Sequence, residues 1–160
     1  MNARVSPDDR PPRILVVDAD ADEALLVEGY LREGLGAPDL PVRRTQTAAE
    51  ARALLAEDPP DVLLLDVRAH DTEALGLLEQ MRDEGSPTPA IVLTGRSNAE
   101  AALHAHRLGA AEVLVKPSLT PASLAATIRF ATQLEESRRK EAETEQALRR
   151  AERQTEALVA

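Results

Sequence analysis

Apolar residues along this chain gather in four short, unbroken runs: Ile14-Leu15-Val16-Val17, Val62-Leu63-Leu64-Leu65, Ala90-Ile91-Val92-Leu93 and Val113-Leu114-Val115. A strand with one wet face alternates polar and apolar side chains. A run with no polar position is how a strand reads when both faces of a parallel sheet are covered. A weaker strand is predicted over Pro41 to Thr45, where Arg43 and Arg44 suit a sheet edge. The stretches between carry helix signals. Thr47-Ala48-Ala49-Glu50 and Ser97-Asn98-Ala99-Glu100 fit the capping box, in which hydroxyl and carboxylate satisfy orphan N–H groups at a helix start. Thr120-Pro121 fits a cap followed by proline at the first helical position, and Gly85 and Gly109 stand where helices end. Strand and helix thus alternate throughout, which predicts an α/β fold, a (βα)5 doubly wound parallel sheet with right-handed crossovers.

The last helix changes that picture. No glycine or proline follows Pro121, so the helix is predicted to run on to at least Leu158, roughly 57 Å of rise. Glu135/Arg139, Glu136/Lys140 and Glu145/Arg149 are i,i+4 pairs with the acid on the favourable side. One heptad frame puts Leu134, Ser137, Glu141, Thr144, Leu148, Ala151, Thr155 and Leu158 at its a and d positions. That seam is apolar at both ends and polar in the middle, so the coiled coil is marginal. A homodimer of parallel helices is ranked slightly above a solvated single helix. The predicted division is a mobile tail over residues 1–12, one globular domain over 13–133, and a helical coiled-coil linker over 134–160.

Composition removes several function classes. The chain has 160 residues, enough for one ordinary core and an appendage. It has no cysteine, which excludes disulfides, thiol catalysis and cysteine zinc sites. The net charge of −9 argues against nucleic-acid binding by this chain alone, and Tyr30 and Phe130 are too few aromatics for a base-stacking platform. The apolar runs are too short to span a membrane, and the N-terminus has no secretory h-region, which predicts a cytoplasmic location.

Chemistry concentrates at the ends of the predicted strands. Ligands of an open α/β sheet collect beyond the strands' C-terminal ends. There the first strand meets Asp18, the third Asp66, the fourth Thr94, and the fifth Lys116-Pro117. Two carboxylates, a hydroxyl and an ammonium on one edge form the set needed to move a phosphoryl group onto an aspartate. One carboxylate attacks, others hold Mg2+, and the hydroxyl and ammonium hold phosphoryl oxygens.

From about Arg13 to Gln133 the sequence resembles the receiver domain of two-component response regulators, through ILVVDAD, DVLLLDV, AIVLTG and GAAEVLVKP in that order. The resemblance implies a flavodoxin-like strand order 2-1-3-4-5, with Asp66 as phosphoacceptor and Asp18 as a metal ligand. It also implies Thr94 as the phosphate-sensing hydroxyl, Lys116 as the phosphate-binding cation, a cis Lys116–Pro117 bond, and the Arg68 backbone carbonyl in the Mg2+ shell. A histidine kinase or phosphotransfer protein would be the phosphodonor, and the domain would phosphorylate itself without turning over a metabolite. The long helix resembles a connector to an output or kinase domain.

The sequence departs from that family at several places. Ala19 stands where a second acid is usual, so Mg2+ is expected to bind weakly. Asp20, one residue on, is either a metal ligand or a helix N-cap. The 68–74 loop lacks the usual proline and glycine, and Val113 replaces an aromatic that usually reports phosphorylation. A degenerate receiver, acting as a phosphate-independent dimerisation module, is therefore the second reading. A haloacid-dehalogenase-like phosphatase using Asp18 and Asp20 is the third, and it lacks an acidic pair after Lys116. Arg68 and Arg96 read as solvated loop charges, with pairing to Asp66 as the sharper alternative. His70, His104 and His106 read as surface residues, not a metal set.

Overall fold

The computed structural model describes residues 10–159 and shows why the apolar runs are unbroken. Five strands and five α-helices alternate as β1 (Ile14–Val17), α1 (Ala21–Gly34), β2 (Val42–Thr45), α2 (Ala48–Glu57), β3 (Val62–Asp66), α3 (Thr72–Asp83), β4 (Ala90–Thr94), α4 (Ala99–Arg107), β5 (Glu112–Val115) and α5 (Pro121–Val159). The strands are all parallel, in the order β2-β1-β3-β4-β5, which is the predicted flavodoxin-like sheet. Apart from residues 10–12, the tail expected over 1–12 lies outside the described residues.

Successive strand side chains point to opposite faces, and each face has its own helical cover. Leu15, Val17, Leu63, Leu65 and Val92 pack with Ala51 of α2, Leu77 and Leu78 of α3, and Ala105 of α4. Ile14, Val16, Val62, Leu64, Ile91 and Leu93 pack with Leu31 of α1 and with Leu124 and Ile128 of α5. Strands β1, β3 and β4 are buried along their whole length. The fourth apolar run differs from its expectation: β5 closes the sheet as an edge strand, so Val113 and Leu114 are only half-buried and Val115 is exposed.

The helix ends follow local chemistry with one exception. Thr47 accepts the Glu50 N–H, and its hydroxyl donates to the Glu50 carboxylate. Thr120 and Ser123 cap α5 reciprocally, each hydroxyl accepting the other's N–H. Gly85 and Gly109 follow α3 and α4 at φ of +65° and +92°, which β-carbon-bearing residues rarely adopt. The box expected at Ser97 does not form. Instead α4 starts after Asn98, whose side-chain amide donates to the Val67 carbonyl rather than capping its own helix.

Helix α5 is continuous over 39 residues, and its first turns pack tightly against α1. A β-carbon placed on Gly34 would lie 2.1 Å from the Pro121 carbonyl oxygen, so only glycine permits this approach. Beyond Ala131 the helix leaves the core and becomes almost wholly exposed. Two of the expected i,i+4 pairs form there, Glu136–Lys140 and Glu145–Arg149. Among the described residues, no helix is long and apolar enough to cross a membrane.

Candidate functional site

Parallel strands of similar register end together, which brings distant parts of the sequence to one edge. Asp66 closes β3 opposite Leu93, and Thr94 closes β4 opposite Val115. Asp18 directly follows β1, where its N–H donates to the Thr45 carbonyl. All three are buried, Thr94 most completely. Lys116 leaves β5 in a single 3-10 turn, Lys116–Ser118, closed by the Leu119 N–H on the Lys116 carbonyl. The Lys116–Pro117 bond, expected cis, is trans, because Pro117 sits inside this turn, where its fixed φ suits the helical backbone.

The ammonium of Lys116 lies 2.5 Å from Asp66 Oδ1 and 2.8 Å from Glu23 Oε2. The first contact is an ion pair off the hydrogen-bonding direction, so buried Asp66 Oδ1 keeps no aligned hydrogen-bond partner. Arg68 approaches from the other side: its Nε lies 3.3 Å from Asp66 Oδ2, and one terminal nitrogen lies 3.6 Å from Asp18 Oδ1 and 4.0 Å from Glu23 Oε2. Arg68 is therefore not the purely solvated loop charge it was expected to be. Arg96 is exposed, as are His70, His104 and His106.

Asp18, Glu23 and Asp66 each offer an oxygen, all within 4.8 Å of one another. Three hard oxygen donors around a buried, incompletely partnered carboxylate suit Mg2+. Asp20 is not in this group. Its carboxylate caps α1, accepting the N–H groups of Asp22 and Glu23 at 2.9 and 3.2 Å. Its own N–H donates to Asp18 Oδ1 at 2.9 Å. Glu23 is the residue that sequence reasoning missed. The signal was present, since Asp20 followed three residues later by Glu23 marks a helix starting at once after the strand. That start places Glu23 in the first turn, and its carboxylate reaches Lys116 across the strand ends.

Burial, reinforced by the charges of Asp66 and Glu23, pushes the Asp18 carboxyl up to about 6, against the pull of the Asp20 N–H and Lys116. For Lys116 burial works downward, but the Asp66 and Glu23 carboxylates outweigh it and hold the ammonium charged. Asp66 likewise raises Arg68. The His70 backbone sits at φ +60°, and Asp71 caps α3 by accepting the Ala74 N–H, so the 68–74 loop is ordered by its own contacts.

The family model of the response regulator receiver domain matches residues 14–129. The chain is 33% identical over 104 residues to the DNA-binding transcriptional regulator NtrC of Escherichia coli, covering 65% of this chain and 21% of that one. It is 36% identical over 107 residues to the response regulator MprA of Mycolicibacterium vanbaalenii, covering 67% and 45%. The chain thus spans less than half the length of these relatives. Among solved structures, NtrX from Brucella abortus superposes with a TM-score of 0.72 at 25% identity, covering 84% of this chain and 30% of that one. Its isolated receiver domain gives 0.65 at 27% identity, covering 75% and 98%.

Proposed function

Because the chain belongs to the family of response regulator receiver domains, we propose that it accepts a phosphoryl group on Asp66 from a histidine kinase or phosphotransfer protein. The observation that carries this is the position of Asp66. It is buried at the end of a central strand, with Lys116 against one carboxylate oxygen, Arg68 against the other, and an oxygen lacking an aligned partner. A carboxylate oxygen of Asp66 attacks phosphorus, an acyl phosphate P–O bond forms, and the donor's P–N bond breaks with its electrons returning to the imidazole. Lys116 stays charged and offsets the negative phosphoryl oxygens, and the Thr94 hydroxyl at the neighbouring strand end is the hydrogen-bond donor for them. Asp18, Glu23 and Asp66 would hold Mg2+, with the Arg68 carbonyl, which already accepts the Asp71 N–H. When bound there, Mg2+ supplies neutralisation of charge on the transferring group.

This reading makes the protein a cytoplasmic signalling module without separate substrate turnover. Asp20 is committed to capping α1, which leaves a phosphatase built on Asp18 and Asp20 without its second carboxylate. The degenerate-receiver reading draws support from Ala19 and from the guanidinium among the carboxylates. Labelling separates the two. Acetyl phosphate with Mg2+ should add one phosphoryl mass, and Asp66→Asn should abolish it; undiminished labelling of that variant by intact-mass analysis rules the assignment out.

The reading extends to the long helix. Leu134, Leu148 and Leu158 are exposed on the one heptad seam, and Phe130, 65% exposed, stands four residues before Leu134 on the same frame. In a parallel pair, Lys140 at g meets Glu145 at e of the second copy. The homodimer is therefore built along α5 and starts on the globular domain itself.

A further inference from the structure

Arg68 stands just beyond β3 with its side chain about half exposed, free to extend into water. Instead its guanidinium folds back over three carboxylates, reaching Asp66 at 3.3 Å, Asp18 at 3.6 Å and Glu23 at 4.0 Å. These are the same three residues whose oxygens cluster within 4.8 Å. Lys116 does not duplicate this role, since it approaches the other Asp66 oxygen and makes no ion pair with Asp18. Arg68 is therefore the cationic side chain within ion-pair range of Asp18 and of the second Asp66 oxygen, while Lys116 acts on Asp18 without pairing with it. Carboxylates crowded this closely repel one another unless a cation stands among them.

We propose that Arg68 is a tethered cation that competes with a divalent metal for Asp18, Glu23 and Asp66, so that one leaves as the other binds. The proposal rests on the metal reading of the site given above. Two positive groups cannot share a space bounded by the same oxygens, because each would lie within a few ångströms of the other. The guanidinium has a planar fork suited to several carboxylates, and the Arg68 side chain is already about half in solvent. Arg68 would then act on the metal in two opposed ways. Its main-chain carbonyl supports the metal, whereas its side chain displaces it, and substitution of the side chain removes only the second. The site is thereby kept paired at low metal concentration and is occupied by metal only above a threshold that Arg68 sets.

The test is a calorimetric MgCl2 titration of the full chain and of Arg68→Ala, Arg68→Lys and Arg96→Ala, with thermal melts of each with and without the metal. Arg68→Ala should tighten Mg2+ binding about tenfold, the size of one lost charge-assisted contact. It should also lower the melting temperature without metal, and saturating Mg2+ should close that gap. Arg68→Lys, which keeps the charge but loses the fork, should fall between. Arg96→Ala should match the parent, since Arg96 is an exposed arginine equally close to a strand end. Equal or weaker binding by Arg68→Ala would overturn the competition while leaving phosphoryl acceptance on Asp66 intact. Equal tightening by Arg96→Ala would also overturn it, by showing a general charge effect. Absence of binding to every variant would overturn both this inference and the metal reading beneath it.

Discussion

Replacing Glu23 by glutamine removes a charge from the site while keeping the side chain's shape and an oxygen for Lys116. The expected result is Mg2+ binding weakened at least tenfold. A double charge about 4 Å from a carboxylate gains ~2 kcal/mol in bulk water and ~8 kcal/mol at an effective dielectric of 20. The Glu23 side chain is 44% exposed, so the wetter end of that range applies. Desolvation and the lost Lys116 ion pair reduce it further, and ~1.4 kcal/mol surviving corresponds to the tenfold change. The informative comparison is Asp20→Ala. Its carboxylate accepts two N–H groups at the start of α1, so its removal should cost about 1 kcal/mol of fold stability. Mg2+ affinity should hardly move. Calorimetric titration gives the affinities, and thermal denaturation without metal gives the stabilities. An unchanged Kd for Glu23→Gln together with a sharp loss for Asp20→Ala would refute the reasoning, because the second acid would then be Asp20, released from its cap.

Gly34→Ala should destabilise the chain by about 1–3 kcal/mol in thermal melts, since the new β-carbon meets backbone 2.1 Å away; an unaltered midpoint contradicts the α1–α5 packing. The Asp18 carboxyl has a folded pKa raised to about 6, above its unfolded value, so the folded state binds its proton first as pH falls. Asp18→Asn should therefore be more stable than the metal-free parent at pH 7, and the difference should shrink as pH falls through 6; a constant difference refutes it. Light scattering should find the full chain dimeric at tens of micromolar and a chain ending at Gln133 monomeric, and Leu148→Lys should dissociate the dimer; a monomeric full chain refutes the seam.

Much of the fold was written in patterns that depend only on neighbours. Ile14–Val17, Val62–Leu65 and Ala90–Leu93 have no polar position because helices cover both of their faces. The Thr120 cap is likewise local and forms as read, and at Thr47 the hydroxyl caps as read while the Glu50 carboxylate accepts a hydrogen bond from that hydroxyl in place of a backbone N–H. Where tertiary contacts compete, local reading fails. Asn98 gives its amide to the Val67 carbonyl just beyond β3, and the helix start moves past Ser97. In the site, strand ends identify Asp18, Asp66, Thr94 and Lys116, because parallel strands must finish together. Glu23 and Arg68 were only partly legible, Glu23 through its capping-box spacing from Asp20 and Arg68 through its place two residues past Asp66. What local sequence could not show was the reach to distant neighbours, Glu23 to Lys116 and Arg68 to Asp18 and Glu23.

The unbroken run of α5 from buried Ala131 into exposed Leu134 ties the angular setting of everything beyond it to the globular core. An α-helix turns about 100° per residue, so one residue inserted after Gln133 would swing the seam by that angle. Four inserted residues would leave an error of about 40°, and seven only about 20°. Every position of α5 out to Val159 inherits this phase. Helix lengths differing by a heptad would therefore keep the seam nearly in place, and intermediate lengths would turn another side of the shaft outward.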